Sequence, residues 1–516
     1  MSIIAPYRSQ LRAGRDGFAQ LLRAEWTKFR TVRGWVVTMT AAALVTVLLG
    51  LAFSAVSHSS CSEGPIEVAC PTPPLGPDGE AVNDRFYFVN RPLTGDGSIT
   101  ARLTSMTGII TYPPPNHDKI ISGLVPWAKA GLIIKQSTKQ GSAYAAVMLT
   151  ASHGVRMQHN YIHDTAGVSA TFPRWLRLIR SGDTLTGYES ADGKQWTKVG
   201  TAPLTGLPDT VRIGLFVTSP GDLTVDQGGL GGTQVRFTQA TAAFDQVSVQ
   251  GDVPRGAWSR EDVGAHGMTD WERYHRANGL VESGGTLTVS GTGDIAPISD
   301  GQSIERTLIG ALAGLIAVMV VAVLFITAEY RRGLIRTSLL ASPRRGRVLV
   351  AKATVIGLVT FAVGLVSAAV TVPICTQILR ANGNHTLLVS PLTELRVIVG
   401  TAALLAGAAV FAFALGALFR RTAVAITVAI ATVLLPYLLA VVSGLPLGVS
   451  QWLLRLTPAA GFAIQQSVQE YPQVLAYYAP QMGYFPLAPW AGLAVLGAYA
   501  ALALGLAILR VRQKDA

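Results

Sequence analysis

A chain of 516 residues that is 49% hydrophobic and only 14% charged lies outside the range of ordinary soluble domains and reads as a membrane protein. The net charge of +12 would suit nucleic acid in a soluble protein. Here the basic residues cluster beside apolar runs instead of along a polar face, so the charge is read as membrane topology and lipid contact, and nucleic acid is excluded as a partner.

Residues 1–34 carry Arg8, Arg12, Arg15, Arg23, Lys28, Arg30 and Arg33 against Asp16 and Glu25, an excess that holds this end in the cytoplasm. Within it Phe18, Leu21, Leu22, Trp26 and Phe29 recur at helical spacing, which predicts an amphipathic helix lying in the membrane interface. Glu25, Trp26, Lys28 and Arg30 mark that helix. Residues 35–55 form the first span, whose apolar core is longer than that of a signal peptide and lacks a small-x-small cleavage site, so it is read as an uncleaved anchor.

From Val56 to about Ser303 the composition changes to Gly, Thr, Ser and Pro, and no window is apolar enough to span a bilayer. Residues 56–80 read as a linker containing Cys61 and Cys70, which are either a small disulfide on an oxidising side or a pair of free thiols. Residues 81–303 then show short alternating segments separated by turn signals: Phe86 to Asn90, Ser98 to Leu103, Ala130 to Lys135, Ala143 to Thr150, Trp175 to Arg180, Thr184 to Glu189, Val211 to Thr218 and Ala243 to Val249. Many short strands at such intervals predict an all-β sandwich. Asp192-Gly193 marks a hairpin. His159 and His163, four apart with Asp164 beside them, would share one face of a strand, a weak metal pattern with no third ligand to name.

Residues 308–328 form the second span, and 329–348 carry six arginines, which places that loop in the cytoplasm. Further spans are expected near 349–373, 396–418, 423–443 and 488–510, giving six in all with both termini cytoplasmic and residues 56–307 outside. Between the last two, Trp452 to Gln466 is amphipathic and broken by Pro458 and Gly461. Almost no ionisable residue falls inside a span, which argues against an ion-coupled carrier. Gly357, Gly364, Gly400, Gly407 and Gly416 permit close helix packing. The sequence holds neither a Walker lysine loop nor an ABC signature, so this chain has no ATP-hydrolysing site of that kind.

Two resemblances sharpen the reading. Glu329, then Leu339-Leu340, then Ser342-Pro343-Arg344 and Lys352 stand in the order found between the second and third spans of type-2 ABC exporter permeases, and Ala24 to Arg30 is similar to their entry helix. The resemblance implies a bacterial cell-membrane permease that pairs with a second copy or paralogue as a dimer. It also implies a separate ABC ATP-binding subunit that holds ATP and Mg; this chain itself carries no cofactor. Glu329, Arg331, Arg332, Arg336, Leu339 and Leu340 become the expected ATPase-coupling residues, and short re-entrant helices are expected between spans 5 and 6.

Residues 81–250 resemble the concanavalin-like jelly-roll domains of carbohydrate-active proteins, through Gly95 to Arg102, Trp127 to Leu132, Arg174 to Arg177, Ser190 to Thr197 and Phe244 to Val247. That likeness implies a large extracellular all-β jelly-roll sandwich between helices 1 and 2 of an α-helical polytopic membrane protein. Trp127, Trp175 and Trp196 are read either as core residues of the sandwich or as candidate glycan-stacking residues, and Asp245 resembles the acid that holds calcium in some of those domains. The Asp-x-Gly and Thr-x-Ser-Gly-x-Gly-Asp-Ile segments that precede the first strand in those domains here follow the last, at Asp262 to Gly264 and Thr288 to Ile295. A circular permutation is therefore expected, with residues 258–296 completing the sandwich and Ile295 beside Asp84. The expected function is export of a hydrophobic or amphiphilic substrate, the external domain binding a cell-surface glycan or gating release. A membrane-anchored glycan-binding sensor or scaffold without transport is the alternative.

Overall fold

The computed structural model describes residues 17–63, 66–68, 70, 72–112, 119–225, 233–254, 256–265, 278–299, 301–331, 345–442 and 445–514. The chain divides into two compact units, one made of residues 1–69, 302–468 and 479–516, the other of residues 70–301 and 469–478.

The first unit is helical. An N-terminal helix, Phe18–Thr31, is followed by six helices long and apolar enough to cross a membrane: Arg33–Val56, Ala311–Arg331, Arg345–Ala381, Pro391–Phe419, Thr422–Val442 and Pro489–Lys514, here spans 1 to 6. Each falls where a run of apolar residues is predicted, and the ends differ by a few residues. The largest difference is span 3, where the helix continues through Pro373 to Ala381. Proline inside a helix removes one hydrogen bond without ending a span whose neighbours support it. The predicted amphipathic stretch is a helix, Leu447–Leu456, followed by a 3-10 helix, Pro458–Gln465.

Small residues set the closest approaches between spans. A Cβ on Gly314 of span 2 would sit 2.2 Å from Oγ1 of Thr46 in span 1, and one on Gly416 of span 4 would sit 2.7 Å from Ile326 of span 2. Span 4 is the best covered, and Ala408, Ala409, Ala412, Phe413 and Ala414 on it are all buried. Close contact of this kind supplies packing energy where lipid offers no hydrophobic drive between helices.

The second unit is a β sandwich organised on one long strand, Phe86–Thr111. The two predicted segments Phe86 to Asn90 and Ser98 to Leu103 are parts of this strand, because Gly95 takes a positive φ of 66° and lets the chain continue across the turn signal Gly95-Asp96-Gly97. Its first half lies between Thr210–Thr218 and Ser259–Val263, and its second half between Arg174–Ser181 and Thr233–Asp252. Around Asp192-Gly193 the strands Thr184–Ser190 and Thr197–Pro203 pair antiparallel. There the Asp192 carboxylate accepts from the amides of Lys194 and Gln195 at 2.8 and 2.9 Å, bonds that hold its pKa down at about 2.

The residues after the last predicted strand belong to the same sandwich. Ser259–Val263 pairs with Phe86 to Asn90, Thr286–Gly291 pairs with Ala240 to Phe244, and Ile295 lies opposite Asp84. Two buried lysines brace this join. Lys135 donates to Asp84 Oδ2 at 2.8 Å and to the Tyr161 hydroxyl at 3.0 Å, and Lys129 donates to Asp294 Oδ1 at 2.7 Å and to the Ile295 carbonyl at 2.9 Å.

Candidate functional site

The charged residues of the helical unit converge at the end of span 2. Span 2 buries an apolar face along Leu315, Val318, Met319, Ala322, Phe325 and Ile326, and then presents Glu329 on that same face one turn further on. Span 3 begins at Arg345 and reaches Lys352 two turns in, and the N-terminal helix offers Glu25 and Phe29 from its single buried stripe.

Lys352 is the hub. Its side chain is 0% exposed, and its ammonium lies 2.6 Å from Glu25 Oε2 and 2.7 Å from Glu329 Oε1. Lys28 donates to the same Glu329 oxygen, so a carboxylate–ammonium–carboxylate–ammonium chain ties the N-terminal helix to spans 2 and 3. The remaining oxygen, Glu329 Oε2, is buried and has no hydrogen-bond partner among the described residues. Four charges of balanced sign remove most of the cost that any one of them would incur in this apolar setting.

Aromatic rings wall the network. Phe325 lies edge-on to Trp35 at 4.8 Å and to Phe29 at 5.9 Å, Phe29 stacks on Trp35 at 6.0 Å, and the Lys352 ammonium is 5.5 Å from the centre of the Phe325 ring. Thr422 at the start of span 5 donates to Thr327 at 2.9 Å, and the Arg420 guanidinium lies 5.0 Å over the Tyr330 ring. The result is a polar knot with apolar walls, built from two consecutive spans and an N-terminal helix that is far from them in sequence. It can transmit displacement of one helix end to the other two.

Of the residues expected to couple to an ATPase, Glu329 lies inside this knot and Arg331 is exposed beside it. Arg332, Arg336, Leu339 and Leu340 lie outside the described residues. On the N-terminal helix Glu25 and Lys28 join the knot, whereas Trp26 is 48% exposed and Arg30 is exposed. Phe29 is buried among the spans, whereas Trp26 stays outside that packing. The helix splits its apolar residues between two surroundings because Glu25, not Trp26, is drawn inward by Lys352. Sequence reasoning marked Lys352 as a motif position and missed it as the centre. A lone lysine seven residues into an apolar helix is the signal that pointed to it.

In the sandwich, three expectations are corrected. Trp127 is 4% exposed and stacks on His153 at 4.0 Å, so it is a core residue and offers no face to a sugar. Asp245 receives Arg102 through both oxygens, Nε to Oδ1 at 2.8 Å, so a guanidinium supplies the positive charge that calcium was expected to supply. His159 and His163 do not share one strand; a turn at Asn160 and Tyr161 makes them cross-strand partners whose rings stack at 4.4 Å. Burial, and then the neighbouring His163, lower the His159 pKa to about 4. Among the described residues no group of three or more His, Cys, Asp or Glu side chains could hold a metal ion.

Trp175 and Trp196 are half-buried, with Arg102 5.9 Å over the first ring and Arg177 3.9 Å over the second. Cys61 and Cys70 are disulfide-bonded, and Cys375 is a buried free thiol.

Comparison with solved structures gives low overall similarity. A protein from Saccharomyces cerevisiae described as functionally unknown matches at 16% identity and a TM-score of 0.21, over 38% of this chain and 93% of its own. The GH43 BlXynB protein from Bacillus licheniformis matches at 16% identity and a TM-score of 0.20, over 30% of this chain and 27% of its own. No curated protein matches the chain. A family model described as ABC-2 family transporter protein matches residues 131–516, which include spans 2 to 6, the Glu329–Lys352 pair and most of the sandwich. This multi-pass chain, with its six spans and without ATPase motifs of its own, belongs to the ABC-2 transporter family and is a membrane permease subunit that works with an ABC ATP-binding subunit.

Proposed function

We propose that the chain exports a hydrophobic or amphiphilic substrate from a cell membrane, as one of two six-span permeases driven by ATP and Mg bound to separate subunits. In this reading both termini and residues 332–344 are cytoplasmic, and residues 56–307 are outside, in keeping with the arginines that flank Glu329 and Lys352. The observation that carries the proposal is the buried knot of Glu25, Lys28, Glu329 and Lys352. Glu329 and Lys352 stand on either side of residues 332–344 in the sequence, and their ion pairs tie spans 2 and 3 to the N-terminal helix. An ATP-binding subunit that pushes on the segment therefore moves spans 2 and 3 and the N-terminal helix together.

Arg331, Arg332 and Arg336 would meet the ATPase, with Leu339 and Leu340 as the apolar part of the contact. The sandwich would act in release, as a gate or as a receptor for a cell-surface glycan, with Trp175 and Trp196 as the aromatic positions left for stacking.

The test is recovery of the complex. Full-length tagged protein is solubilised from its own membranes, and the co-purifying ATP-binding subunit is quantified for wild type, for Arg331, Arg332 and Arg336 changed to Ala, and for Glu329→Gln. Loss of the subunit in the triple variant, and retained binding with lost substrate-stimulated ATPase in Glu329→Gln, is the expected result. Absence of any ATPase from the wild-type sample, in detergents that keep other transporters whole, would replace export by the sensor reading.

A further inference from the structure

The helical unit contains a cavity of about 290 Å³ that the sequence does not announce. Its walls are apolar and come from several elements: Leu308, Leu312 and Leu315 before and within span 2, Leu404 and Leu405 of span 4, and Tyr437 of span 5, with Phe462 and Phe485 also on the wall. One acid lines it. Glu305 belongs to the short helix Ile304–Thr307 that precedes span 2.

The surroundings of this carboxyl are unusual in what they withhold. Ser467 donates to Oε2, whereas Oε1 is sealed from solvent and has no hydrogen-bond partner among the described residues. Two arginines lie near it, Arg306 on the same cavity wall and Arg396 within electrostatic reach of the carboxyl, and both donate hydrogen bonds elsewhere. Arg306 turns to Gln302 Oε1 at 3.2 Å, and Arg396 of span 4 gives its guanidinium to the carbonyl of Gln466 at 2.5 Å. The amide oxygen of Gln481, on the same cavity wall, is also buried without a partner. Two acceptors beside a largely apolar space lack a donor among the described residues, and a buried polar atom left without a partner is costly to keep.

We propose that this cavity binds amphiphiles with a basic head, the ammonium received by Glu305 and Gln481 and the apolar body by the leucines of spans 2 and 4. The proposal rests on the reading of the chain as a permease and narrows its substrate class from amphiphiles in general to lipophilic amines. Neutral and anionic amphiphiles of equal length lack the charge that Glu305 is left to receive, and so bind less well.

Burial raises the Glu305 pKa, and the hydrogen bond from Ser467 opposes that rise. An ammonium binds the ionised carboxylate better than the protonated acid. Amine affinity accordingly increases as pH rises through the Glu305 pKa, while the amine itself keeps its charge up to about pH 10. Ser467 hydrogen-bonds Glu305, Arg396 and Tyr437 interact with it electrostatically, and Arg306 lines the same cavity.

The experiment uses the full chain in phosphatidylcholine nanodiscs with radiolabelled dodecylamine, dodecanol and dodecanoate, each corrected for uptake by empty discs. Dodecylamine is expected to bind roughly tenfold tighter than dodecanol, the amount one charge-assisted hydrogen bond supplies. Glu305→Gln reduces the amine to the level of the alcohol, leaves the alcohol unchanged and flattens the pH dependence. Leu404→Trp, which fills the cavity, lowers binding of both. Equal affinity for the three probes, or an amine preference that survives Glu305→Gln, overturns the proposal. Recovery of the ATP-binding subunit is measured on the same preparations: if it co-purifies and the amine preference is absent, this inference alone fails. If the preference is present and the subunit is not, the permease reading fails and the cavity stands as a binding site.

Discussion

The ammonium of Lys352 stands 2.7 Å from Oε1 of Glu329, so the last turn of span 2 and the first turns of span 3 are clamped at the two ends of residues 332–344. The clamp is shared, because Lys352 also holds Glu25 of the N-terminal helix at 2.6 Å. Whatever moves one of these helix ends acts against a buried ion pair.

Lys352→Met should therefore be among the most damaging single changes in the helical unit. It leaves Glu25 and Glu329 facing each other with only the partly exposed Lys28 between them, a loss of about 3–5 kcal/mol for a broken buried pair. A thermal-melt series in detergent checks this, and adding Glu25→Gln and Glu329→Gln to Lys352→Met should restore a large part of the loss. If the triple variant melts no higher than the single one, the cost is not electrostatic.

Asp84 accepts three hydrogen bonds through Oδ2, from Lys135, Tyr161 and the amide of Gly141. Asp84→Ala strands a fully buried ammonium, and amide exchange in Lys129–Lys135 and Tyr144–Thr150 of the full chain should accelerate by the equivalent of about 3 kcal/mol or more. Tyr161→Phe, which removes one hydroxyl, should cost about 1 kcal/mol in the same measurement. Equal effects of the two changes would contradict the assignment of Lys135 as the charge that needs Asp84.

His159 titrates at about 4, against an ordinary value of 6.5, because burial and His163 disfavour its imidazolium. A depressed folded-state pKa contributes stability that is complete above about pH 6.5 and is lost as pH falls toward 4. Exchange of the imidazole C2 hydrogen, read by mass spectrometry against pH, should place the His159 midpoint near 4. A midpoint of 6 or above would mean that the stacked arrangement with His163 opens in solution. His159→Gln should weaken the acid sensitivity of the strands Val155–His159 and His163–Ala166.

Gln473 belongs to the short segment 469–478 that packs with the sandwich, and its side-chain amide donates to the carbonyls of Tyr161 and Ile162, both at 3.2 Å. Gln473→Ala leaves two carbonyls without that donor and should cost about 1–3 kcal/mol. Amide exchange of residues 469–478 should quicken accordingly, with the helices of the other unit unaffected. Unchanged exchange would show that Gln473 contributes nothing to holding the segment.

The six spans, the helix at the N-terminus and the many-stranded region between spans 1 and 2 were legible because each depends on local composition. Eighteen or more apolar residues bury their backbone polar groups only as a helix, and short alternating runs with turn signals bury one face only as strands. The join of Ile295 to Asp84 was also readable, through segments displaced along the chain from where related domains carry them. Long-range charge was not. Glu25, Glu329 and Lys352 are separated by 327 residues at the widest, and nothing in periodicity says which acid a buried lysine will meet. The same holds for Trp127 and Asp245, whose composition suited a sugar or calcium until packing placed His153 on one and Arg102 against the other. Sequence determined where the chain crosses a membrane and where it becomes β, since hydrophobicity acts residue by residue. Tertiary structure alone decided that Lys352 is the centre of the site and that Glu305 lines a cavity, because ion pairs and cavities are properties of side chains brought together in space.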